Sequence, residues 1–214
     1  MKIYICGDST SASYTPELSP LTGWGQVLPE LLPGAAIENR AIAGRSTRTF
    51  LAEGRLKAIE AALAPNDLML IQFAHNDEGD KPERHTEPWQ DFRANLNTFI
   101  DAALEKGARP VLLTPICIRV WRDGTLQPSH GEYLKVIRAL SRERDVPLID
   151  VYAESFAAVR ELGEAGSRKL YMHLKPNEYP GWPDGKEDDT HTRLEGASRF
   201  AEAVAHGLRK LGLV

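Results

Sequence analysis

The 214-residue chain has only two cysteines, Cys6 and Cys117, and neither is accompanied by a second thiol or a histidine at metal-ligand spacing. A disulfide framework and a thiolate metal centre are thereby excluded, and both thiols read as reduced core residues within apolar, strand-like runs. No apolar run approaches the roughly 20 residues that a membrane-spanning helix requires, so no membrane partner is expected. The opening Met1-Lys-Ile-Tyr-Ile-Cys6 is too short in apolar length, and reaches a turn at Gly7 too soon, for a secretory signal; a cytoplasmic protein is expected. Positive charge is not in excess. Lys plus Arg total 26 against 30 Asp plus Glu, a net charge of −4, which argues against a nucleic-acid partner. Repeats, linkers and low-complexity tracts are lacking, and 42% hydrophobic with 26% charged residues is ordinary globular composition. One domain over 1–214 is expected, because a single core can grow to roughly 250 residues.

What the chain does have is an alternation of short β-type runs with longer helical patterns, which points to βαβ units and a parallel sheet. Strands are expected at Lys2–Cys6, Ala35–Asn39, Asp67–Phe73, Pro110–Thr114 and Pro147–Asp150. Each is dense in aliphatic residues without clean alternation, as when helices cover both faces of a sheet. Helices are expected at Trp24–Leu32, Thr49–Leu63, Trp89–Lys106, Glu132–Glu143, Ala153–Leu162 and Arg193–Leu211. In the third, Phe92, Leu96, Phe99, Ala103 and Leu104 form an apolar stripe. In the last, Phe200, Val204, Leu208 and Leu211 do the same. Tyr171–His191, rich in Pro, Gly and charge, reads as one long irregular loop, and loops of that length are usually functional or mobile.

In an open parallel sheet, ligands bind at the carboxyl ends of the strands, near the point where strand order reverses. Those ends deliver Gly7-Asp8-Ser9-Thr10, Ala43-Gly44-Arg45-Ser46 and His75-Asn76-Asp77, and the long loop delivers Asp188 and His191. A serine hydroxyl is a poor nucleophile unless a base lies within hydrogen-bond reach. His191 can take the Ser9 proton and return it to a leaving group. Asp188, three residues earlier, can hold the second ring nitrogen, although the adjacent Asp189 is a rival carboxylate. The Ser9 and Gly44 amides and the Asn76 side chain would supply donors to a negative intermediate. Taken singly, each has a plainer reading: a capped turn, a turn glycine, an amide bonded to its own loop, a solvent-facing histidine. Their occurrence together, in order, after the right strands, is the informative observation. His75, His85, His130, His173 and His206 lack a second ligand at metal spacing.

These blocks (Gly7-Asp8-Ser9, Gly44, His75-Asn76-Asp77 and Asp188-x-x-His191) resemble those of the SGNH, or GDSL-type, hydrolase superfamily. More narrowly, Ala43–Phe50, Gln72–Asp77 and the Trp182-Pro-x-Gly-Lys-Glu-Asp-Asp-Thr-His191-Thr stretch are similar to rhamnogalacturonan acetylesterases. The resemblance implies a three-layer α/β/α sandwich with a five-stranded parallel sheet and a flavodoxin-like topology. It implies an esterase without metal or organic cofactor, acting on an acetylated carbohydrate of pectic type. In it Ser9 is the nucleophile, His191 the base and Asp188 its orienting acid, with Ser9, Gly44 and Asn76 forming the oxyanion hole. Two departures stand out: Thr10 where the superfamily motif has Leu, as in the acetylesterase subgroup, and Ala74 where relatives often have Gly.

Arg45 and Arg48 follow the Gly44 turn. Facing the cleft, they would hold galacturonate carboxylates, for which a guanidinium is suited; otherwise they are surface charge. Trp182 and Tyr179 either stack on a sugar ring or pack the loop down. The competing functions are a lipase or thioesterase using the same mechanism on another acyl ester, and a non-catalytic flavodoxin-like module binding an anion at Gly7–Thr10. Metal-dependent phosphoester hydrolysis would draw on Asp8, Asp77, Asp188 and His191.

Overall fold

The computed structural model describes residues 1–214. Five parallel strands form the central sheet: β1 (Lys2–Gly7), β2 (Ala36–Asn39), β3 (Leu68–Gln72), β4 (Arg109–Leu113) and β7 (Leu148–Ile149), in the order β2-β1-β3-β4-β7. Successive side chains enter opposite cores. Ile3, Ile5, Leu68, Leu70, Val111 and Leu113 pack on one face, while Tyr4, Cys6, Met69, Ile71 and Leu112 pack on the other. This double burial is why the strands carry no polar alternation. Helices α1 (Trp24–Leu31), α6 (Val151–Gly166) and α7 (Leu194–Lys210) cover the first face. The second is covered by α2 (Thr47–Ala52), α3 (Arg55–Glu60), α4 (Arg93–Glu105) and α5 (Gly131–Glu143), around a mutual contact of Phe50, Phe73 and Phe99. The result is the expected α/β/α sandwich. No helix is long and apolar enough to cross a membrane.

Several expectations need correction. The helix expected over Thr49–Leu63 is two helices, because the chain enters the left-handed region at Gly54 (φ 69°). The Trp89–Lys106 helix begins with one widened turn at Pro88–Phe92 before α4. Leu104 and Leu211, placed on buried stripes, are exposed, and Ile100 and Ala205 fill the stripes instead. Helix α6 starts earlier than expected, since the Asp150 carboxylate caps it by accepting the Ala153 amide. Cys117 lies beyond β4 and not within a strand; both thiols are buried and unpaired, and burial pushes the Cys6 thiol far up. A small hairpin, β5 (Trp121–Arg122) with β6 (Thr125–Leu126), was not anticipated.

The largest correction concerns Tyr171–His191. Its ends form an antiparallel ribbon, β8 (Tyr171–Leu174) with β9 (Lys186–Thr192), and only the tip is irregular. The β9 sequence Lys-Glu-Asp-Asp-Thr-His-Thr has neither apolar alternation nor β-propensity, so nothing local announces the strand.

The order of strands reverses between β1 and β3, and a buried amide ties the carboxyl ends together there. The Gln72 side chain accepts from the Trp24 indole N–H (2.7 Å) and the Thr10 hydroxyl (3.3 Å), and donates to the Thr114 carbonyl (3.0 Å). We predict that Gln72→Ala destabilises the fold by about 2–4 kcal/mol, because the indole N–H and the Thr114 carbonyl would be left buried and unpaired. The urea midpoint, with an unchanged slope, is the measurement.

Candidate active site

Strand β1 ends in a turn that admits only glycine. A Cβ on Gly7 would lie 2.2 Å from Ser11 Oγ and 3.0 Å from the Gln72 carbonyl oxygen. The turn is completed by Asp8, whose Oδ1 accepts from the Thr10 amide (2.9 Å) and hydroxyl (2.8 Å). Its Oδ2 lies 3.3 Å from His75 Nδ1. Burial opposes the Asp8 charge, yet His75 and the Thr10 donors hold its carboxyl below the ordinary range. Ser9 sits at the crest, 6% exposed, with its carbonyl accepting from the Tyr14 hydroxyl at 2.7 Å.

The other half of the site comes from the far end of the chain. In the ribbon, Tyr171 pairs with Thr192 but Met172 pairs with Asp188, so Asp189, Thr190 and His191 are extruded as a bulge. Such bulges re-aim side chains. Asp188 folds the bulge on itself: its Oδ1 accepts the Thr190 and His191 amides, both at 2.9 Å, and its Oδ2 lies 2.8 Å from His191 Nδ1. His191 Nε2 is then 2.9 Å from Ser9 Oγ. A carboxylate at Nδ1 fixes the proton there and leaves the Nε2 lone pair toward the serine. Partial burial works against the Asp188 charge, but these hydrogen bonds and the His191 ring hold its carboxyl well below the usual range. The ribbon is stitched to the Ser9 loop by two bonds, Thr22 N–H to the Thr192 carbonyl (2.9 Å) and Thr192 Oγ1–H to the Thr22 carbonyl (2.6 Å).

Beside the Ser9 amide, the groups expected to act as donors come from the loops after β2 and β3. Beyond β2 the chain runs beside β1, with the Ile42 amide bonded to the Gly7 carbonyl, and turns at Gly44 in a left-handed conformation (φ 78°) that disfavours a side chain. Neither the Ser9 nor the Gly44 amide donates to a protein acceptor. Asn76 Nδ2 donates one hydrogen to the Arg45 carbonyl (3.1 Å), which leaves the second free. Asp77, fully buried, clamps the two loops together by accepting from the Thr47 amide (3.0 Å), the Thr47 hydroxyl (2.5 Å) and the Thr86 hydroxyl (2.9 Å). Burial pushes its carboxyl up to about 7 against the pull of those donors. Ala74 occupies φ 151°, a conformation that favours glycine, so the departure noted at this position places a strained residue directly before His75.

A model of the GDSL-like lipase/acylhydrolase family matches residues 5–199. The chain belongs to that family. It is 40% identical to the rhamnogalacturonan acetylesterase RhgT of Bacillus subtilis over 100% of this chain and 91% of that protein. It is 29% identical to the rhamnogalacturonan acetylesterase of Emericella nidulans, over 94% of this chain and 82% of the relative. Among solved structures, Bacillus subtilis protein YXIM superposes with a TM-score of 0.82 at 28% identity, covering 99% of this chain but only 56% of its own length. Axe2, an acetylxylan esterase from Geobacillus stearothermophilus, shares the fold at a TM-score of 0.69 and 20% identity, covering 99% of this chain and 94% of its own.

Within this family framework, other residues singled out in the sequence lie apart from the Ser9–His191 contact. Asp189 points to the opposite side of the bulge, with Oδ1 2.6 Å from the buried Arg119 guanidinium and 2.7 Å from His173 Nε2. Arg45 forks onto Glu53 (3.1 Å) and its own Ala43 carbonyl (3.0 Å), and Arg48 pairs with Asp91 (2.9 Å). Trp182 donates its indole N–H to the Leu18 carbonyl (3.3 Å), and Tyr179 lies under Arg193. Both aromatics therefore fasten the ribbon tip to the body. Asp8, Asp77 and Asp188 are each engaged by separate protein donors, so the carboxylates weighed as metal ligands do not converge. Sequence reasoning missed Tyr14 and Arg84. Neither lies in a recognisable motif, and only the folded loops bring them to Ser9 and Asn76.

The Asp188 shift has a consequence for stability. A carboxyl held low in the fold contributes stability that is complete above the ordinary value near 4 and is lost as pH falls through its lower folded value. Asp188→Asn should therefore be less stable than the wild type at pH 7, with the difference shrinking once pH drops below about 4. Urea midpoints over pH 2.5–7 will read this; a constant difference would rule out the ionised carboxylate as the cause.

Proposed function

We propose that this protein is a serine esterase that removes O-acetyl groups from carbohydrate, with acetylated rhamnogalacturonan oligosaccharides as its substrate class. The observation that carries the reading is the unbroken hydrogen-bond series from Ser9 Oγ through His191 to Asp188. Ser9 Oγ attacks the acetyl carbonyl while His191 Nε2 takes its proton, and Asp188 stabilises the resulting imidazolium. The oxyanion is met by the Ser9 and Gly44 amides and the free hydrogen of Asn76. His191 then protonates the departing sugar oxygen, leaving acetyl on Ser9. A water deprotonated by His191 attacks this acyl-enzyme, acetate leaves, and Ser9 recovers its proton. No step calls on a metal or organic cofactor.

The nature of the acyl group and carrier rests on two kinds of support. The loops that follow β2 and β3 carry Gly44, Asn76 and Arg84, which are polar or lack a side chain, and this favours a short acyl group on a hydrated carrier over a long-chain lipid or thioester. The names of the relatives from Bacillus subtilis and Emericella nidulans supply the sugar: both are rhamnogalacturonan acetylesterases. The anion-binding module is less well supported, because such a module has no use for a histidine aligned on the serine.

Wild-type protein is expected to release acetate from acetylated rhamnogalacturonan oligosaccharides and to hydrolyse p-nitrophenyl acetate, and Ser9→Ala to do neither above background. Equal rates for the two proteins would end the esterase reading. Asn76→Ala should lower kcat about 100-fold, roughly 3 kcal/mol of barrier, with the far-ultraviolet circular dichroism unchanged; a wild-type kcat would remove Asn76 from the oxyanion hole.

A further inference from the structure

Of the three arginines around the Gly44 turn, two are neutralised, Arg45 by Glu53 and Arg48 by Asp91. The third is not. Arg84, half-buried on the loop after β3, has one side-chain hydrogen bond, from NH1 to Asn76 Oδ1 at 3.3 Å, and forms no ion pair. Its guanidinium lies flat over Gly44: a Cβ built there would meet NH1 and NH2 at 3.4 Å and Cζ at 3.5 Å. None of the acidic residues of the same loop (Asp77, Glu78, Asp80, Glu83, Glu87) forms an ion pair with it, and Asp77 is taken by Thr47 and Thr86. Glu78 faces His130 (2.8 Å) and Glu87 faces His85 (3.3 Å). The loop is itself held by the Arg84 and His85 amides, both bonded to the Lys81 carbonyl, and by the His85 ring against the Gly79 carbonyl. A guanidinium with most of its donors unused, fixed beside a reaction centre, is suited to a carboxylate.

We infer that Arg84 is a specificity-determining residue that binds the carboxylate of a uronic acid in the substrate, next to the acetyl group being removed. This rests on the esterase reading above and deepens it. Arg84 touches the carbonyl side of the Asn76 amide, whereas the oxyanion would be met by the nitrogen side. The cation is therefore displaced from the developing charge by one amide group, and a carboxylate that reaches it comes from the carrier and not from the acetyl group. A uronate carboxylate in that position would otherwise repel the growing oxyanion, since both are negative and water is partly excluded. Arg84 removes that repulsion and so turns an acidic sugar from a penalty into a preference. Arg45, the residue the sequence suggested for this task, has its guanidinium fork closed by Glu53.

The test compares one acetylated galacturonate oligosaccharide as its free acid and as its methyl ester, which removes the charge of the carboxyl group and adds one methyl. Wild-type kcat/KM should favour the free acid by about tenfold or more, the range of a charge-assisted hydrogen bond, and the preference should weaken at high salt. Arg84→Gln should bring the ratio to one or below, and Arg84→Lys should restore part of it. Both forms are expected to lose some rate in Arg84→Gln through the Asn76 contact, so the ratio is the readout. A wild type indifferent to methylation, or an Arg84→Gln variant that keeps the wild-type ratio, would overturn the inference; the latter would leave Arg84 as a support for Asn76 alone. Ser9-dependent hydrolysis of p-nitrophenyl acetate without turnover of either galacturonate form would overturn it through the choice of sugar, with the esterase intact. Failure on p-nitrophenyl acetate as well would strike the esterase reading itself.

Discussion

The Asp188 carboxylate is the constraint on which the rest of the site depends. Three residues are extruded from β9 between the Thr192 and Asp188 pairings, and a bulge of that size has no ladder bonds of its own. Asp188 supplies the missing acceptors, taking two bulge amides on one oxygen and the His191 ring on the other. The backbone that presents the imidazole and the charge that orients it are thus governed by one side chain. Asp189, chemically identical and adjacent, is committed to Arg119 and His173 on the reverse side, where it anchors the ribbon instead. Of the two acids left open in the sequence, Asp188 lies against His191 Nδ1 and Asp189 against His173 and Arg119.

Behind the opposite flank lies a buried polar layer. Gln72 joins the ends of β1, β4 and α1; Asp8 joins the Ser9 turn to His75; Asp77 joins the Gly44 and Asn76 loops. Each of these groups is desolvated and costly if left unpaired. The shell surrounding Ser9 is therefore rigid in the sense that moving any one loop would strand a polar group belonging to another. The strained backbone at Ala74 is tolerated inside that shell, where the His75–Asp8 contact and the Glu78 amide on the Ala74 carbonyl over-determine the turn.

How much of this was legible in the sequence follows from where the information lies. The three central strands are readable because both of their faces are apolar, and the chemistry-bearing turns are readable because they follow strands directly. Ser9, Gly44 and Asn76 were named on that basis and Asp188 and His191 from their place at the end of the long loop, and the structure brings Ser9, Asp188 and His191 together. The ribbon was not readable, because β9 is held by pairing with β8 and by Thr22, and its charged sequence carries no local preference for a strand. The split at Gly54 and the exposure of Leu104 and Leu211 fail for a related reason. Periodicity describes a stripe, but the neighbouring element determines where the stripe stops being covered. Arg84 was invisible because its significance is a missing partner, and which acid pairs with which arginine is decided only in three dimensions.

The two threonines that lace Thr22 to Thr192 have a further implication for when the protein becomes competent. Ser9 and the imidazole that faces it are 182 positions apart, and the strand bearing that imidazole is held both by β8 and by this long-range closure. Contacts so distant along the chain carry a larger loop-closure cost than local ones. A chain without β9 would keep Ser9 in its turn but would have no imidazole facing it, so anything that rests on this pair depends on the closure.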